Sequence, residues 1–407
     1  MNCRFCNNKL NNLFLSLGLS PLANSYLSKE QLLKEEPAYP LDVYVCDKCF
    51  LVQLFAFETP ENIFSDYAYF SSYSQTCLRF AKEYADKMVD LFGINKSSFV
   101  VEIASNDGYL LQYFIKKDIP VLGIEPARNV AKVAQDKGVH TEVLFFGADS
   151  AKKLVAEGKS ADLLLGNNVL AHVPDLNDFV QGLKILLKPK GIITMEFPHL
   201  LRLIEGGQFD TIYQEHFSYF SFLTVVKVFS AHELAIFDVE ELPTQGGSLR
   251  IYAKHQNDNT RSISERVRKM LDKETRLGFS DIKHYLAFDG QVKKIKRDIL
   301  NFFIKAKQDG KTIVGYGAAA KGNTLLNYCG IKSDDIEYVA DNNPHKQFRY
   351  LPGSRIPIES PDKIKETKPD YILILPWNIK EEIMNQLSFI RDWGGKFVTF
   401  IPNIDIK

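Results

Sequence analysis

The sequence lacks an excess of charge of either sign. Its 50 Lys and Arg residues balance 50 Asp and Glu residues. A protein that gathers phosphate backbones needs a basic patch or stripe, and such a stripe normally gives the domain a positive net charge. The balanced composition therefore disfavours nucleic acid as a partner.

Long apolar runs are also missing. No uninterrupted apolar stretch approaches the roughly 20 residues that span a bilayer, and the first residues, Met1 to Cys6, lack the apolar core of a secretory signal. Long polar tracts typical of disorder are absent too, since 45% of the residues are hydrophobic and 12% aromatic. We expect a folded cytoplasmic protein with no membrane partner, and a monomer, with a small homo-oligomer as the alternative.

A chain of 407 residues exceeds the about 250–300 residues at which single cores stop growing, so it predicts two or three domains. From residue 98 onward, short β-branched runs alternate with helical stretches, a pattern typical of parallel sheets covered by helices. The predicted strands are 99–104, 121–124, 162–166 and 191–197, followed by a second set at 312–316, 336–340 and 371–375. The predicted helices are 76–95, 110–115, 130–137, 179–187 and 321–328, with connecting helices in 258–307.

This alternation predicts an α/β protein with two doubly wound, Rossmann-like units in tandem. The predicted domains are a small zinc-binding module over 1–75, a cofactor-binding domain over 76–257, and a C-terminal Rossmann-like domain with its connecting helices over 258–407. The amphipathic helix 76–95 should pack on the domain that follows it.

Four of the six cysteines form two Cys-x-x-Cys pairs. In a reducing compartment, pairs with this spacing indicate a metal rather than a disulfide. The predicted zinc ligands are Cys3, Cys6, Cys46 and Cys49. Four thiolates leave no open coordination position, so the zinc should stabilise the fold and take no part in chemistry. Ordinary buried or free cysteines are the alternative, and we expect Cys77 and Cys329 to be core residues.

A second group of polar residues lies where predicted strands end. Such strand ends form the ligand-binding edge of a doubly wound sheet. The expected cofactor-binding residues are Glu102, Ala104, Ser105, Asn106, Gly108, Glu125, Asn167 and Asn168. Glu125 follows the second strand, in the position from which such folds bind ribose hydroxyls.

The loop after the first strand is not Gly-x-Gly-x-x-Gly, which disfavours a nicotinamide cofactor. Adenosylmethionine has no phosphate to bind, and Glu102, Ser105 and Asn106 could hydrogen-bond its amino acid end. A purely structural strand-to-helix turn is the alternative.

The segment 211–220 concentrates reactive side chains. It holds Tyr213, Glu215 and His216 within four positions. Histidine is well suited to remove a proton at neutral pH, and a neighbouring phenol can stabilise a developing oxygen charge. A lone histidine is more often a hydrogen-bonded core residue, but its neighbours here favour catalysis.

In these motifs the chain resembles the nucleotide-sugar C-methyltransferases of deoxysugar and branched-sugar pathways over essentially its whole length. The resemblance rests on the cysteine pairs and on the motifs at 21–24, 67–72, 102–108, 167–174, 213–216, 246–250 and 315–323. It implies a zinc-binding N-terminal domain, a central adenosylmethionine-binding domain and a C-terminal Rossmann-like domain that helps to enclose the nucleotide-sugar. It implies methyl transfer to C3 of a 4-keto sugar, with His216 as the base and Tyr213 and Glu215 assisting it.

The resemblance also implies substrate-binding residues. These are Tyr67 or Tyr69, Ser72, Gly247, Arg250, Gly317, Lys321 and Asn323. The glycine turn at 315–323 could hold the diphosphate through backbone amides and Lys321, or it could be a bare structural turn. The basic stretch from His345 to Arg349 could be a solvated surface loop. The other functional classes considered are a non-catalytic zinc and nucleotide scaffold, a nicotinamide-dependent oxidoreductase, and an RNA methyltransferase, which the balanced charge disfavours.

Overall fold

The structure is a computed structural model that describes residues 1–57, 59 and 70–407. In chain order, its strands are β1 (Asn12–Ser20), β2 (Tyr39–Val45), β3 (Val52–Leu54), β4 (Val100–Ile103), β5 (Val121–Ile124), β6 (Thr141–Glu142), β7 (Ala161–Asn167), β8 (Leu187–Pro198), β9 (Ser218–Tyr219), β10 (Leu234–Leu242), β11 (Ser248–His255), β12 (Ile313–Tyr316), β13 (Val339–Ala340), β14 (Ile358–Glu359), β15 (Tyr371–Ile374), β16 (Lys396–Thr399) and β17 (Asp405–Ile406).

The helices alternate with these strands. They are α1 (Gln75–Phe92), α2 (Leu111–Ile115), α3 (Arg128–Asp136), α4 (Ala148–Ala156), α5 (Leu176–Leu186), α6 (Leu200–Glu205), α7 (Phe222–Ala231), α8 (Glu265–Arg276), α9 (Ile282–Leu286), α10 (Phe288–Gln308), α11 (Ala320–Cys329), α12 (Lys363–Thr367) and α13 (Lys380–Gln386). Short 3-10 turns include Leu170–His172, Phe209–Thr211 and Trp377–Ile379. No helix in these ranges is long and apolar enough to cross a membrane.

The described strands form three sheets. The middle sheet has the order β10-β11-β8-β7-β4-β5-β6, in which β8 to β6 are parallel and β11 is antiparallel to both its neighbours. The C-terminal sheet has the order β14-β13-β12-β15-β16-β17, parallel except for β17. These two sheets confirm the predicted α/β fold. The domain boundaries themselves stay a prediction.

Helix α1 shows why the sequence forms the predicted helix there. Ser74 caps its N-terminus by accepting the Cys77 amide, and Gly93 ends it in the left-handed conformation that favours glycine. Its buried face, including Tyr84 and Met88, packs with Val100 and other apolar residues of the middle sheet, as predicted.

The N-terminal sheet has the antiparallel order β1-β2-β3-β9. Its last strand comes from far along the chain, because Val52 pairs with Tyr219 and Gln53 with Ser218. On the other side, Phe14 of β1 stacks on Phe288 of α10, with ring centroids 5.0 Å apart. The N-terminal module therefore contacts both of the larger units.

The two Cys-x-x-Cys pairs adopt matching turns. The Cys3 carbonyl accepts the Asn7 amide and the Cys46 carbonyl accepts the Phe50 amide, both at 2.9 Å. Asn7 and Phe50 take the same left-handed conformation, with φ of 57° and 66°. Both turns therefore aim their two thiols toward a common point.

The four predicted sulfur ligands meet at that point. All four Sγ atoms of Cys3, Cys6, Cys46 and Cys49 lie within 4.8 Å of one another. The Cys3–Cys49 and Cys6–Cys46 separations are 3.5 and 3.6 Å, close to the roughly 3.8 Å edge of a tetrahedron with Zn–S bonds of about 2.3 Å. The geometry and the soft donor set fit zinc. Cys329 is buried, as predicted. Cys77 belongs to α1; it is half-buried and packs against the apolar cluster between α1 and the middle sheet.

Some predicted bounds are wrong at the edges of elements. The helix predicted to end at 187 ends at Leu186, and Leu187 begins β8 instead. That helix also starts earlier, at Leu176, because the Asp175 side chain accepts the Asp178 amide and caps it.

We predict that replacing Cys46 and Cys49 together by alanine lowers the zinc content from about one ion per chain to near zero and unfolds the N-terminal module. Two thiolates cannot close a tetrahedral site. Elemental analysis and thermal unfolding measure the two effects. Cys329→Ala is the matched control and should keep its zinc. Wild-type protein that contains no zinc would contradict the assignment.

Candidate active site

The loop after β4 turns sharply at the carboxyl end of the central strand. Ala104, Asn106 and Gly108 all have positive φ, at 57°, 49° and 75°. A side chain at position 108 would also lie 2.7 Å from Val139 Cγ2. Only glycine satisfies both constraints at that position. The loop lies at the strand end where other doubly wound sheets bind their ligands.

Glu102, at the end of this strand, is a buried carboxylate without a protein partner. It is fully buried, and neither of its oxygens has a hydrogen bond within the described part of the chain. Burial raises the pKa of Glu102 well above its usual value, and the nearby charges of Glu125 and Asp107 add to the rise. Because leaving such a group unpaired costs free energy, it indicates a donor brought by a ligand.

Other polar atoms at the same sheet edge also lack partners among the described residues. They are Ser105 Oγ, Asn167 Oδ1 and Asn168 Oδ1. Ser105 follows β4 and the two asparagines lie at the end of β7, which is next to β4 in the sheet. The residues at this edge thus fit a polar ligand such as the amino acid end of adenosylmethionine.

Glu125 lies on the neighbouring strand end. Its two oxygens accept the backbone amides of Asn106 and Ala127, both at 2.9 Å. Burial raises the pKa of Glu125, although these two amides lower it. Each oxygen keeps a second lone pair, so the carboxylate is oriented and can still accept a ribose hydroxyl.

Residues 71–72 cover this loop. The Ser71 amide donates to Asn106 Oδ1 at 2.9 Å, and the Ser72 hydroxyl donates to the Asp107 carboxylate. Ser72, predicted to bind substrate, therefore lies directly against the loop that follows β4. The candidates Tyr67 and Tyr69 fall outside the described residues.

His216 is buried and its ring is held by a backbone carbonyl. Its Nδ1 lies 2.8 Å from the Thr211 carbonyl oxygen. Since a carbonyl only accepts, Nδ1 carries the hydrogen and Nε2 keeps its lone pair. Burial, with a smaller effect of His172, lowers the pKa of His216 well below its usual value. The imidazole is therefore neutral at pH 7.

Three aromatic side chains surround this imidazole, the most distant being Tyr219 with ring centroids 6.2 Å apart. The Tyr213 ring lies at a centroid distance of 4.0 Å, and the His172 ring at 4.7 Å in an edge contact. His172 ends the 3-10 turn that follows Asn167 and Asn168, so it joins the His216 ring to the cofactor edge of the sheet. Burial lowers the pKa of His172 to about 4. Sequence reasoning gave His172 no role, although it lies within a motif that carried the resemblance.

Glu215 is tied to the N-terminal module. Its Oε1 accepts a hydrogen bond from Asn24 Nδ2 at 2.7 Å, and the adjacent Gln214 donates to the Ser20 carbonyl at 3.0 Å. Asn24 was not predicted as a site residue. Its position in the 21–24 motif was the only signal for it.

The start of α11 contacts the same loop from the C-terminal unit. Asn323 Nδ2 donates to the Ala23 carbonyl at 2.6 Å, and the Tyr26 hydroxyl donates to the Ala318 carbonyl at 2.6 Å. The Thr324 hydroxyl donates to the Ile212 carbonyl at 2.9 Å. Parts of all three units therefore meet around the segment that carries His216.

Lys321 lies beside this junction and contacts residues of the 3-10 turn Trp377–Ile379. Its Nζ donates to Asn378 Oδ1 at 2.7 Å and lies 4.8 Å from the centroid of the Trp377 ring. Trp377 Nε1 donates to Asp210 at 2.6 Å. Burial raises the pKa of the Asp210 carboxyl to about 6. At the preceding turn, Gly317 has a φ of +85°, and a Cβ there would lie 2.5 Å from Pro376.

Arg250 and Gly247 lie on the antiparallel side of the middle sheet. Arg250 is buried and forms a 2.6 Å ion pair with Glu196, over the Tyr84 ring. Gly247 has a φ of +119°, and a Cβ there would meet the Arg202 side chain at 2.6 Å. The charge of Arg250 is thus already balanced within the protein.

Family models match three consecutive parts of the chain. They are described as "Putative zinc binding domain" for residues 3–64, "Methyltransferase domain" for 77–238, and "C-methyltransferase C-terminal domain" for 243–402.

One relative is similar over nearly the whole chain. The C-methyltransferase NovU of Streptomyces niveus is 35% identical over 401 residues, which cover 98% of this chain and 95% of that protein. A ubiquinone biosynthesis O-methyltransferase of Bartonella bacilliformis is 25% identical over 95 residues, or 23% of this chain and 38% of that protein. Among solved structures, the PH0226 protein of Pyrococcus horikoshii OT3 aligns with a TM-score of 0.38 and 15% identity, covering 49% of this chain and 99% of that one.

The near full-length relative and the three consecutive domain matches agree with the cysteine cluster and the cofactor edge described above. The protein belongs to the C-methyltransferase family, and it is an adenosylmethionine-dependent enzyme with a zinc-binding N-terminal domain.

Proposed function

We propose that the enzyme methylates C3 of a 4-keto, nucleotide-linked deoxysugar through an enolate that His216 generates. The observation that carries this proposal is the state of the His216 ring, a buried, neutral imidazole whose Nδ1 is held by the Thr211 carbonyl. The choice of a keto nucleotide-sugar rests on the sequence resemblance in the motifs.

A base is needed because carbon is a poor nucleophile until a proton beside a carbonyl is removed. His216 Nε2 has the free lone pair for that step. A positioned general base contributes about 10²–10⁴ in rate. As the proton leaves C3, the electron pair of the C–H bond forms the enolate, whose negative charge gathers on the C4 oxygen.

The enolate oxygen needs a donor while it carries charge. The Tyr213 ring packs on His216, and we assign its hydroxyl as the donor to this oxygen. Glu215 is adjacent in the chain and is oriented by Asn24. We assign it the task of positioning the imidazole and the sugar.

The cofactor residues lie at the edge of the sheet that His172 connects to His216. When bound, adenosylmethionine supplies an electrophilic methyl group. Glu102, Ser105, Asn167 and Asn168 would bind its amino acid end, and Glu125 its ribose. The tight loop at Ala104, Asn106 and Gly108 gives the backbone room to approach the ligand.

We predict that His216→Asn abolishes methyl transfer and also the exchange of the sugar's C3 proton with solvent deuterium when adenosylhomocysteine replaces the methyl donor. Both reactions need the same proton removal, so both rates should fall by about 10²-fold or more. NMR of a 4-keto-6-deoxy nucleotide-sugar measures the exchange.

Adenosylmethionine binding to His216→Asn should survive, because the imidazole acts on the sugar. Calorimetry checks this and separates a chemical defect from misfolding. His140→Asn, at an exposed position, is the matched control and should exchange C3 normally. A His216→Asn variant that binds cofactor and exchanges C3 at the wild-type rate would transfer the role of base to Glu215 or Tyr213.

We predict that Glu125→Ala weakens adenosylmethionine binding. Loss of a hydrogen bond to a charged group costs about 1.5–3 kcal/mol, which corresponds to roughly 10–100-fold in affinity. Titration calorimetry measures this change. Because Glu125 also accepts two backbone amides, Glu125→Gln tests the charge with less disturbance of the loop. Glu83→Ala, at an exposed position, serves as the control and should keep its affinity for adenosylmethionine. Unchanged affinity in both Glu125 variants would remove Glu125 from the cofactor site.

A further inference from the structure

The segment that carries His216 is a loop whose two ends lie side by side. It leaves the end of β8 at His199 and returns beside that point at Phe220. The Leu200 amide donates to the Phe220 carbonyl at 3.0 Å, and His199 and Phe220 form a parallel bridge. Helix α6 and the 3-10 turn Phe209–Thr211 lie between the two ends. The position of His216 therefore depends on what holds these ends together.

One carboxylate contacts both ends of the loop. Glu274 Oε1 lies 2.6 Å from His199 Nε2 at the start and accepts the Phe222 amide at 2.7 Å at the end. Glu274 Oε2 accepts the Leu223 amide, also at 2.7 Å. Glu274 belongs to α8, outside the loop, and its exposed fraction is 0%, against 1% for His199. A single buried side chain thus joins the start of the loop to its end.

The hydrogens of these contacts follow from the donors present. The Phe222 and Leu223 amides open α7, where backbone N–H groups have no partner within the helix and an anion is favoured. Since both carboxylate oxygens already accept amides, His199 Nε2 is the donor in the third contact. His199 Nδ1 has no partner among the described residues, so the hydrogen bond to Glu274 orients this ring.

Glutamine cannot replace this carboxylate, although it has the same shape. Its NH₂ group must take the place of one of the two oxygens. In either orientation, that group faces an N–H of the α7 start, from Phe222 or from Leu223. A buried donor then loses its acceptor, which is costly because no water replaces it.

The end of the loop is also fixed to the zinc site. Ser221 caps α7 by accepting the Thr224 amide at 3.1 Å, and the Thr224 hydroxyl donates to the Cys49 carbonyl at 3.2 Å. The start of α7 is therefore held in place, and Glu274 fixes His199 relative to it.

We propose that Glu274 is a positioning residue for the reaction: its carboxylate holds the two ends of the loop together, and the loop holds the His216 ring against the sugar carbon. The inference rests on the proposed function, in which His216 is the base. Within the described part of the chain, Glu274 makes no hydrogen bond to His216, so it acts through the loop. A misplacement of about 1 Å in a reacting group can cost about 10²-fold in rate.

The test compares Glu274→Gln and His199→Leu with the wild type, each as the full-length zinc enzyme. Calorimetry counts the adenosylmethionine-binding sites, and NMR measures exchange of the sugar's C3 proton with adenosylhomocysteine bound. We expect the exchange rate per binding site to fall about tenfold or more in both variants, with unchanged affinity for adenosylmethionine. Because the rate is expressed per binding site, a smaller folded fraction does not lower it.

Two matched variants separate positioning from stability. His199→Gln keeps an N–H donor near the position of Nε2 and should keep most of the rate. Val267→Ala removes a buried apolar group from the same helix. It should lower the stability of the fold but leave the rate per binding site unchanged.

A second readout does not depend on activity. Amide exchange measured by mass spectrometry should be faster across residues 209–217 in Glu274→Gln and His199→Leu, and unchanged across residues 102–108. If Glu274→Gln does not fold, His199→Leu against His199→Gln decides. Wild-type amide exchange across 209–217, or a wild-type rate per binding site, overturns the role of Glu274. A His199→Gln variant as slow as His199→Leu also overturns it.

Failure of the proposed reaction gives a different result. A wild-type enzyme that exchanges no C3 proton of any 4-keto-6-deoxy nucleotide-sugar overturns that reaction. Amide exchange then decides whether Glu274 holds the loop: faster exchange across 209–217 in the two variants supports it, and wild-type exchange there overturns it.

Discussion

The hydrogen bond from the Asn24 side chain to Glu215 joins the zinc module to the segment that carries His216. A buried carboxylate is costly unless it is paired, and a hydrogen bond to a charged group stabilises by about 1.5–3 kcal/mol. Glu215 is only 4% exposed, and this amide is one of the contacts that orient it. The residues around His216 are therefore positioned from outside the methyltransferase sheet.

The zinc module can do this because its sheet is held on two sides. Short antiparallel strands such as β3 are marginal by themselves. Four thiols converge on one point, β9 extends the sheet directly after the segment that carries His216, and Phe14 stacks on Phe288 of α10. We propose that the zinc site supports the enzyme by holding this loop in place, with no part in the chemistry.

Features set by local chemistry could be predicted from the sequence. The cysteine spacing predicted the sulfur cluster, and the alternation of strand and helix predicted the parallel strands of the two larger sheets but not the antiparallel strands at their edges. The polar strand ends at Glu102 and Glu125 converge on one edge, because parallel strands end on the same side. Helix ends were harder, since the cap at Asp175 depends on one side-chain contact.

Contacts between distant parts of the chain could not be predicted. Asn24 and Glu215 are 191 positions apart, and Asn323 and Ala23 are 300 apart. No local pattern fixes such pairs, because they depend on how three units pack. The same packing gives Lys321 its partner Asn378 and brings the loop of residues 345–349 to the wall of a cavity that Asn24 also lines.

We infer that the loop around Asn24 holds the segment that carries His216 in place from the zinc module. Hydrogen exchange measured by mass spectrometry on Asn24→Ala tests it most directly, with the exposed Asn11→Ala of the same module as control. We expect faster amide exchange across residues 213–217 and unchanged exchange in the loop of residues 102–108. Exchange in 213–217 that stays at the wild-type rate would contradict it.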